Sequence, residues 1–240
     1  MKKIFSFAAV AGCLLFCSAS RPVGVGPAPG AVSRPGASVS RPGAAVLAPV
    51  VEKSGWVQLF DGKSLDGWKV GENAETFSVQ NRCIVAHGKT AHLFYVGDVQ
   101  GHDFKNFDLK AEVMTEPGSN SGIYIHTQYQ EGGWPAKGYE VQVNNSHTDW
   151  RRTGSLYGVE DIKEVYVKDK VWFTEEAIVR GKHIVIKLNG KTVVDYTEPE
   201  NVQRPKGSEG RVLSSGTFAL QGHDPNSTVY FKNIRVKVLD

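Results

Sequence analysis

Tyr139-Glu140-Val141-Gln142-Val143-Asn144 sets a single carboxyl group on the polar side of an otherwise apolar segment. Side chains alternate across a strand, so Glu140, Gln142 and Asn144 share one face while Val141 and Val143 take the other. A strand lined with Glu, Gln and Asn on one side suits the floor of a sugar cleft. Ordinary glycosidase chemistry needs two carboxyl groups flanking the bond, an acid and a nucleophile or base. One Glu beside a Gln points instead to a binding groove or to another way of breaking a glycosidic bond.

The same alternation sets Tyr124 and His126 against Ile123 and Ile125, and gives Gln221 and His223 one parity. Were these strands neighbours, their polar groups would converge, although a slip of one residue would turn each set to the other side. Glu140, His126 and His223 are the candidate catalytic residues. A Glu between two valines is a poor place for a charge unless it meets solvent or a polar site, and imidazoles titrate where acid–base chemistry is useful. Tyr124, Gln142, Gln221 and Asn120 are candidate hydroxyl partners. Trp134 and Trp150, in loops rich in Gly, Asn and Asp, are candidate stacking platforms, as are Tyr129 and Trp172. Arg151, beside Trp150, is a candidate partner for a hydroxyl or carboxylate. His102 is a further imidazole of this kind, but no histidine pair has metal-motif spacing, so no residue is assigned as a metal ligand. Asn120-Ser121-Gly122 reads first as a turn. A phosphate loop and a nucleophile elbow are both missing.

Short strands with turn punctuation must position these groups. Thr76–Val79 and Cys83–Ala86 flank Gln80-Asn81 as a hairpin. Phe107, Leu109, Ala111 and Val113 alternate with polar residues and Met114. Segments 121–128 and 138–144 follow. Ile184, Ile186 and Leu188 run into Asn189-Gly190 and then Thr192–Tyr196, the strongest hairpin signal in the chain. Thr217–Gln221 and Thr228–Val238 complete the set. About a dozen strands with no convincing helix predict an all-β fold, two antiparallel sheets packed as a jelly-roll sandwich, with a closed barrel as the alternative. Trp56 and Trp68 read as core, and so does Cys83.

The chain has 240 residues and three cysteines. Residues 1–20 read as a secretory leader: a basic start, then an apolar run from Ile4 to Phe16 too short to span a membrane. Cys13 or Cys17 is placed for lipid attachment, with ordinary cleavage near Ala19 or Ser20 as the alternative. Residues 21–54 are dense in Pro and Gly and repeat Ser-Arg-Pro-Gly-Ala at 33–37 and 40–44, the composition of a disordered spacer. The expected location is the periplasm or cell surface. Six of the 28 basic and one of the 25 acidic side chains lie in 1–54, so 55–240 carries 22 against 24, a net of −2. That balance gives no electrostatic argument for a nucleic-acid partner. Cys83 alone remains in 55–240, so no disulfide can form within it.

Taken in order, Trp56–Trp68 (WVQLFDGKSLDGW), Asn120–Ile123 (NSGI), Gly138–Gln142 (GYEVQ), Thr153–Tyr157 (TGSLY), Leu188–Gly190 (LNG) and Ala219–Pro225 (ALQGHDP) resemble the 3-keto-disaccharide hydrolase-like domain family, long designated a domain of unknown function. The resemblance covers residues 55–240. Trp172-Phe173-Thr174 departs from the Glu-Trp-Asn of many relatives. The resemblance implies a concanavalin A-like sandwich, a secreted or lipid-anchored protein and a role in 3-keto-glycoside breakdown. It also accounts for the missing carboxyl. A keto group at C3 acidifies the hydrogen at C2, and the glycosidic oxygen at C1 is then a β leaving group. One base and one electrophile at O3 suffice. On this reading Glu140 or a neighbouring His is the base, and His126, His223, Gln142 or Gln221 steadies the enolate. A divalent cation held by His and Glu is an alternative electrophile. A non-catalytic carbohydrate-binding module is the competing reading. A conventional glycosidase would need Glu112, Glu160 or Asp149 brought about 5 Å from Glu140.

Overall fold

The computed structural model describes residues 54–240. The expectations for the leader, the lipid-bearing cysteine and the spacer fall almost entirely on residues 1–53, outside the described residues. Thirteen strands follow in chain order: β1 (Val57–Gln58), β2 (Trp68–Val70), β3 (Phe77–Gln80), β4 (Cys83–Ala86), β5 (Ala91–Tyr95), β6 (Phe107–Thr115), β7 (Ser121–Thr127), β8 (Tyr139–Val143), β9 (Phe173–Arg180), β10 (His183–Leu188), β11 (Lys191–Thr197), β12 (Thr217–Gly222) and β13 (Val229–Val238). Two 3-10 turns, at Ala74–Thr76 and Val99–His102, are the only helical elements among the described residues. The strands form two antiparallel sheets. The larger is ordered β11-β10-β9-β6-β13-β4-β3, with β1 also on β13; the smaller is β2-β5-β12-β7-β8.

Local chemistry explains most of these elements. Phe107 to Thr115 alternates buried and half-buried along its length, the signature of a strand with one face in the core. Asn189 and Gly190 turn between β10 and β11 with φ of 50° and 80°, the pair of positive values that a two-residue hairpin requires. The β3–β4 turn falls on Asn81 and Arg82 (φ 49° and 64°), one residue beyond the expected Gln80-Asn81. Strands β2 and β5, absent from the sequence reading, complete the smaller sheet.

The apolar faces of both sheets meet in one core. Phe104, Phe107 and Phe218 pack together at its centre, with Phe104 and Phe218 stacked at 4.5 Å and Phe218 edge-on to Phe107 at 4.9 Å. Trp68 joins this core and donates its ring N–H to the Leu59 carbonyl at 2.7 Å. Trp56 does not: it is half-buried, with the Lys110 ammonium and Arg235 guanidinium over its ring. Cys83 is buried and unpaired.

One carboxyl group sits inside the sandwich. Glu175 follows the inward parity of Phe173 and Ala177 on β9 and registers with Leu188 and Ala111. Neither of its oxygens has a hydrogen-bond partner among the described residues. Burial holds its pKa well above the ordinary 4.5, opposed by the nearby Gly154 N–H. A group with a raised folded-state pKa contributes stability fully at pH below its unfolded value and loses it as pH rises through the folded value. Stability is therefore expected to fall as pH rises, and Glu175→Met to raise it by ~1–3 kcal/mol at about pH 8 with a shallower pH dependence. Urea denaturation across pH checks this; a destabilised variant with an unchanged pH slope would contradict it.

Candidate active site

The smaller sheet turns its second face away from the core, and its register arranges that face in two rows. Phe94, Ala219, Tyr124 and Glu140 form one row across β5, β12, β7 and β8. His92, Gln221 and Gln142 lie in the next, with Gly122 at the β7 position. Gly122 decides how the rows interact. With no side chain there, Glu140 folds over the strand toward Gln221; a Cβ at Gly122 would lie 2.7 Å from Glu140 Oε1. Gln221 Nε2 donates to Glu140 Oε1 at 2.7 Å, and the Tyr124 hydroxyl donates to Glu140 Oε2 at 3.0 Å while accepting from Gln221 Nε2 at 3.2 Å. All three residues are buried. Burial raises the Glu140 pKa, and the Gln221 and Tyr124 hydrogen bonds and the charge of Arg211 oppose that shift.

This triangle floors a hollow of about 370 Å³. Asn120, Gln142 and His223 line it with Trp134, Tyr157 and Arg211. Glu140 is the only carboxyl among the described residues that line it. Gln142 donates to Asn120 Oδ1 at 2.8 Å, leaving Gln142 Oε1 buried and unpartnered. Gln221 Oε1 is likewise buried without a partner, its amide orientation set by the donation of Nε2 to Glu140. Two buried acceptors without donors beside a carboxylate suit a ligand rich in O–H groups. Trp134, half-exposed, stands at the wall with its ring 5.4 Å from His92 and 5.5 Å from His223.

A family model described as a 3-keto-alpha-glucoside-1,2-lyase-like domain matches residues 55–237. The chain belongs to this family. It is 27% identical over 237 residues to a 3-keto-disaccharide hydrolase of Bacteroides thetaiotaomicron, covering 79% of this chain and 80% of that protein. Its fold is similar to that of a candidate glycosyl hydrolase from Parabacteroides distasonis (TM-score 0.66, 23% identity, 78% of this chain and 95% of the other). A carbohydrate-binding module of Bacillus subtilis shares the sandwich at TM-score 0.50 and 13% identity, over 70% of this chain and 94% of that one. The expected all-β sandwich is the fold observed. At family level the chain is a carbohydrate-active, glycosyl hydrolase-like protein.

This lyase-like domain brings together Glu140, Tyr124, Gln142, Gln221, Asn120, Trp134 and His223, and leaves His126, Arg151, Trp150, Tyr129, His102 and Trp172 outside. His126 is the clearest correction. Between the pairs Tyr124/Ala219 and Thr127/Thr217, two residues of β7 (Ile125 and His126) oppose one of β12 (Phe218), so β7 bulges there and His126 takes φ 55°. Its ring turns to Phe107 in the core at 5.5 Å, and its nitrogens meet the Lys105 carbonyl (2.9 Å) and the Ser214 N–H (3.3 Å). Burial lowers its pKa. Gly138 and Gly216 make room for this bulge, since a Cβ at either would come within 2.2 Å of a carbonyl oxygen of Ile125 or Thr127. Arg151 is one layer back, paired with Asp161 at 3.0 Å and lying over the Tyr157 ring. Trp150 is exposed beside it. Tyr129 and His102 line a separate hollow of about 300 Å³, and Trp172 lies under Lys232 of the larger sheet. The second carboxyl of a conventional glycosidase is not supplied by Glu112, Glu160 or Asp149, none of which lines the cavity.

Four residues of the site escaped the sequence reading. His92 shares the parity of this face on β5, a strand the sequence reading lacks; it is buried, with Nε2 unpartnered, and burial followed by repulsion from His223 lowers its pKa to about 4. Tyr157, Arg211 and His147 come from loops, where no period announces them. Arg211 donates to the Tyr157 carbonyl at 2.7 Å. Among the described residues, His147, His223 and Asp224 are a group whose ligand atoms lie within 4.8 Å of one another, close enough to hold a cation. Their hydrogen bonds argue otherwise. Asp224 already accepts from Ser227 (2.7 Å), from the Asn226 N–H (2.8 Å) and from His223 (2.8 Å), which together hold its pKa below the usual carboxylate range.

Gly122→Ala tests the crossing of the rows directly, because its backbone needs no positive φ. The added methyl is expected to push the Glu140 carboxylate off Gln221 and lower stability by ~1–3 kcal/mol in urea denaturation with the fold retained. Unchanged stability would contradict the crowding.

Proposed function

We propose that the domain cleaves 3-keto-glycosides by removing the C2 proton and expelling the aglycone from C1. The observation that carries this reading is a polar cavity whose described lining has one carboxyl, Glu140, ringed by amides, hydroxyls, a histidine and the Arg211 guanidinium. Two flanking carboxyls are the equipment of acetal hydrolysis. With a ketone at C3, the C1–O bond can instead break by elimination, which asks for a proton acceptor and a donor at the carbonyl oxygen. Glu140 and His223 are the two groups at the cavity able to accept a proton. The unpartnered Gln142 and Gln221 oxygens suit ring hydroxyls, and Trp134 suits an apolar sugar face. The family and the named activity of the Bacteroides relative support the same substrate class. The leader and spacer read from the sequence support export to the periplasm or cell surface, with a lipid anchor at Cys13 or Cys17.

Turnover of a 3-keto-glucoside, with no cleavage of the unoxidised parent, is the expected outcome in a product assay. Glu140→Gln is expected to lower kcat/KM by ~100-fold or more. Glycan affinity without turnover would favour a binding module, and an unchanged rate in Glu140→Gln would sink the assignment.

A further inference from the structure

His223 lines the cavity and His147 stands beside it, their rings 5.5 Å apart and both half-buried. Their surroundings impose opposite tautomers. His147 Nδ1 receives the backbone N–H of Asp149 at 3.1 Å, and the Asn120 amide nitrogen lies 3.3 Å away. A backbone N–H can only donate, so Nδ1 keeps its lone pair and the neutral ring carries its proton on Nε2. His223 Nδ1 lies 2.8 Å from Asp224 Oδ2, a carboxylate that already accepts from Ser227 and the Asn226 N–H. An ionised carboxylate can only accept, so Nδ1 carries the proton here and Nε2 keeps the lone pair. Among the described residues neither Nε2 has a hydrogen-bond partner.

We infer that His147 and His223 act together on the substrate, His223 as the base that takes the C2 proton and His147 as the N–H donor to the C3 oxygen. The inference rests on the 3-keto-glycoside reading above. The C2–H bond pair moves to C2–C3, the carbonyl pair moves onto O3, and the His147 N–H holds that oxyanion without giving up its proton. A neutral imidazole suits this electrophilic task. The enolate then collapses: the O3 carbonyl re-forms, C1=C2 forms, and the C1–O bond pair leaves on the aglycone oxygen. That oxygen takes up the proton His223 removed, so the reaction yields an enone and a free alcohol with no other reactant. Asp224 orients His223 and faces the imidazolium as it forms, and buried Glu140 adds a second favourable charge, being itself electrostatically coupled to His223. Asn120 links the His147 side to the floor, because it also accepts from Gln142 at 2.8 Å, while its backbone N–H reaches Ser227, the residue that holds Asp224.

Substitution by glutamine separates donor from base, because a Gln amide can supply an N–H but cannot take a proton at neutral pH. His147→Leu is expected to lose ~100-fold or more in kcat, and His147→Gln to recover ~10-fold of that loss. His223→Gln and His223→Leu are expected to be equally impaired. Long-range proton–nitrogen spectra of the unmutated full chain, labelled with nitrogen-15 in its seven histidines, read the tautomers without reference to activity. Protonated Nε2 on His147 and protonated Nδ1 on His223 are expected at about pH 8. Reversed tautomers, equal loss in both His147 variants, or a stoichiometric shift of both rings on adding zinc alone would overturn the inference, the last in favour of a metal site. The expected tautomers without turnover of any 3-keto-glucoside would support the donor–acceptor pair and count against the substrate reading alone.

Discussion

The buried carboxyl group of Glu140 is the constraint on which the rest of the site depends. It stands on a strand of the smaller sheet, largely removed from water, and must be satisfied by its neighbours. Two groups do this, the Gln221 amide and the Tyr124 hydroxyl, each from a different strand. Their meeting requires β8, β7 and β12 in one register, and requires Gly122 where the two rows cross. A one-residue slip would turn Glu140 into the sandwich and Val141 and Val143 out of it. The apolar core that holds the register and the polar face that carries the chemistry are thus opposite sides of the same strands.

From that floor the rest of the site follows outward. Gln221 and Gln142 spend their amide N–H groups on Glu140 and Asn120 and keep buried carbonyl oxygens for a ligand. His223 follows directly on β12, so its position is tied to that of Gln221 two residues earlier. Asp224, Ser227 and Asn120 extend the tie to His147. A cavity built this way has donors, acceptors and one carboxylate, which favours chemistry at a carbon beside a carbonyl over acid-assisted cleavage of an unactivated acetal.

Much of this could be read in the chain before any coordinates. Alternation in Phe107–Thr115, the Asn189-Gly190 turn and the Glu140/Gln142 parity are local signals, and local signals survive folding. His126 shows where parity stops: the bulge in β7 depends on Gly138 and Gly216, which lie on either side of it in space but far from it in sequence. His147 and Arg211 were unreadable for a different reason, since loops carry no period and their geometry comes from tertiary hydrogen bonds. Gly122 looked like part of a turn; its purpose is visible only once Glu140 is seen lying across it.

A 3-keto-glucoside carrying deuterium at C2 tests the central claim most directly, with mass spectrometry of the sugar product after cleavage by the full chain. Proton abstraction at C2 predicts a product that has lost the deuterium, because C2 holds no hydrogen in the enone. Quantitative retention of deuterium at C2 would mean that the C1–O bond breaks without that step and would contradict the account.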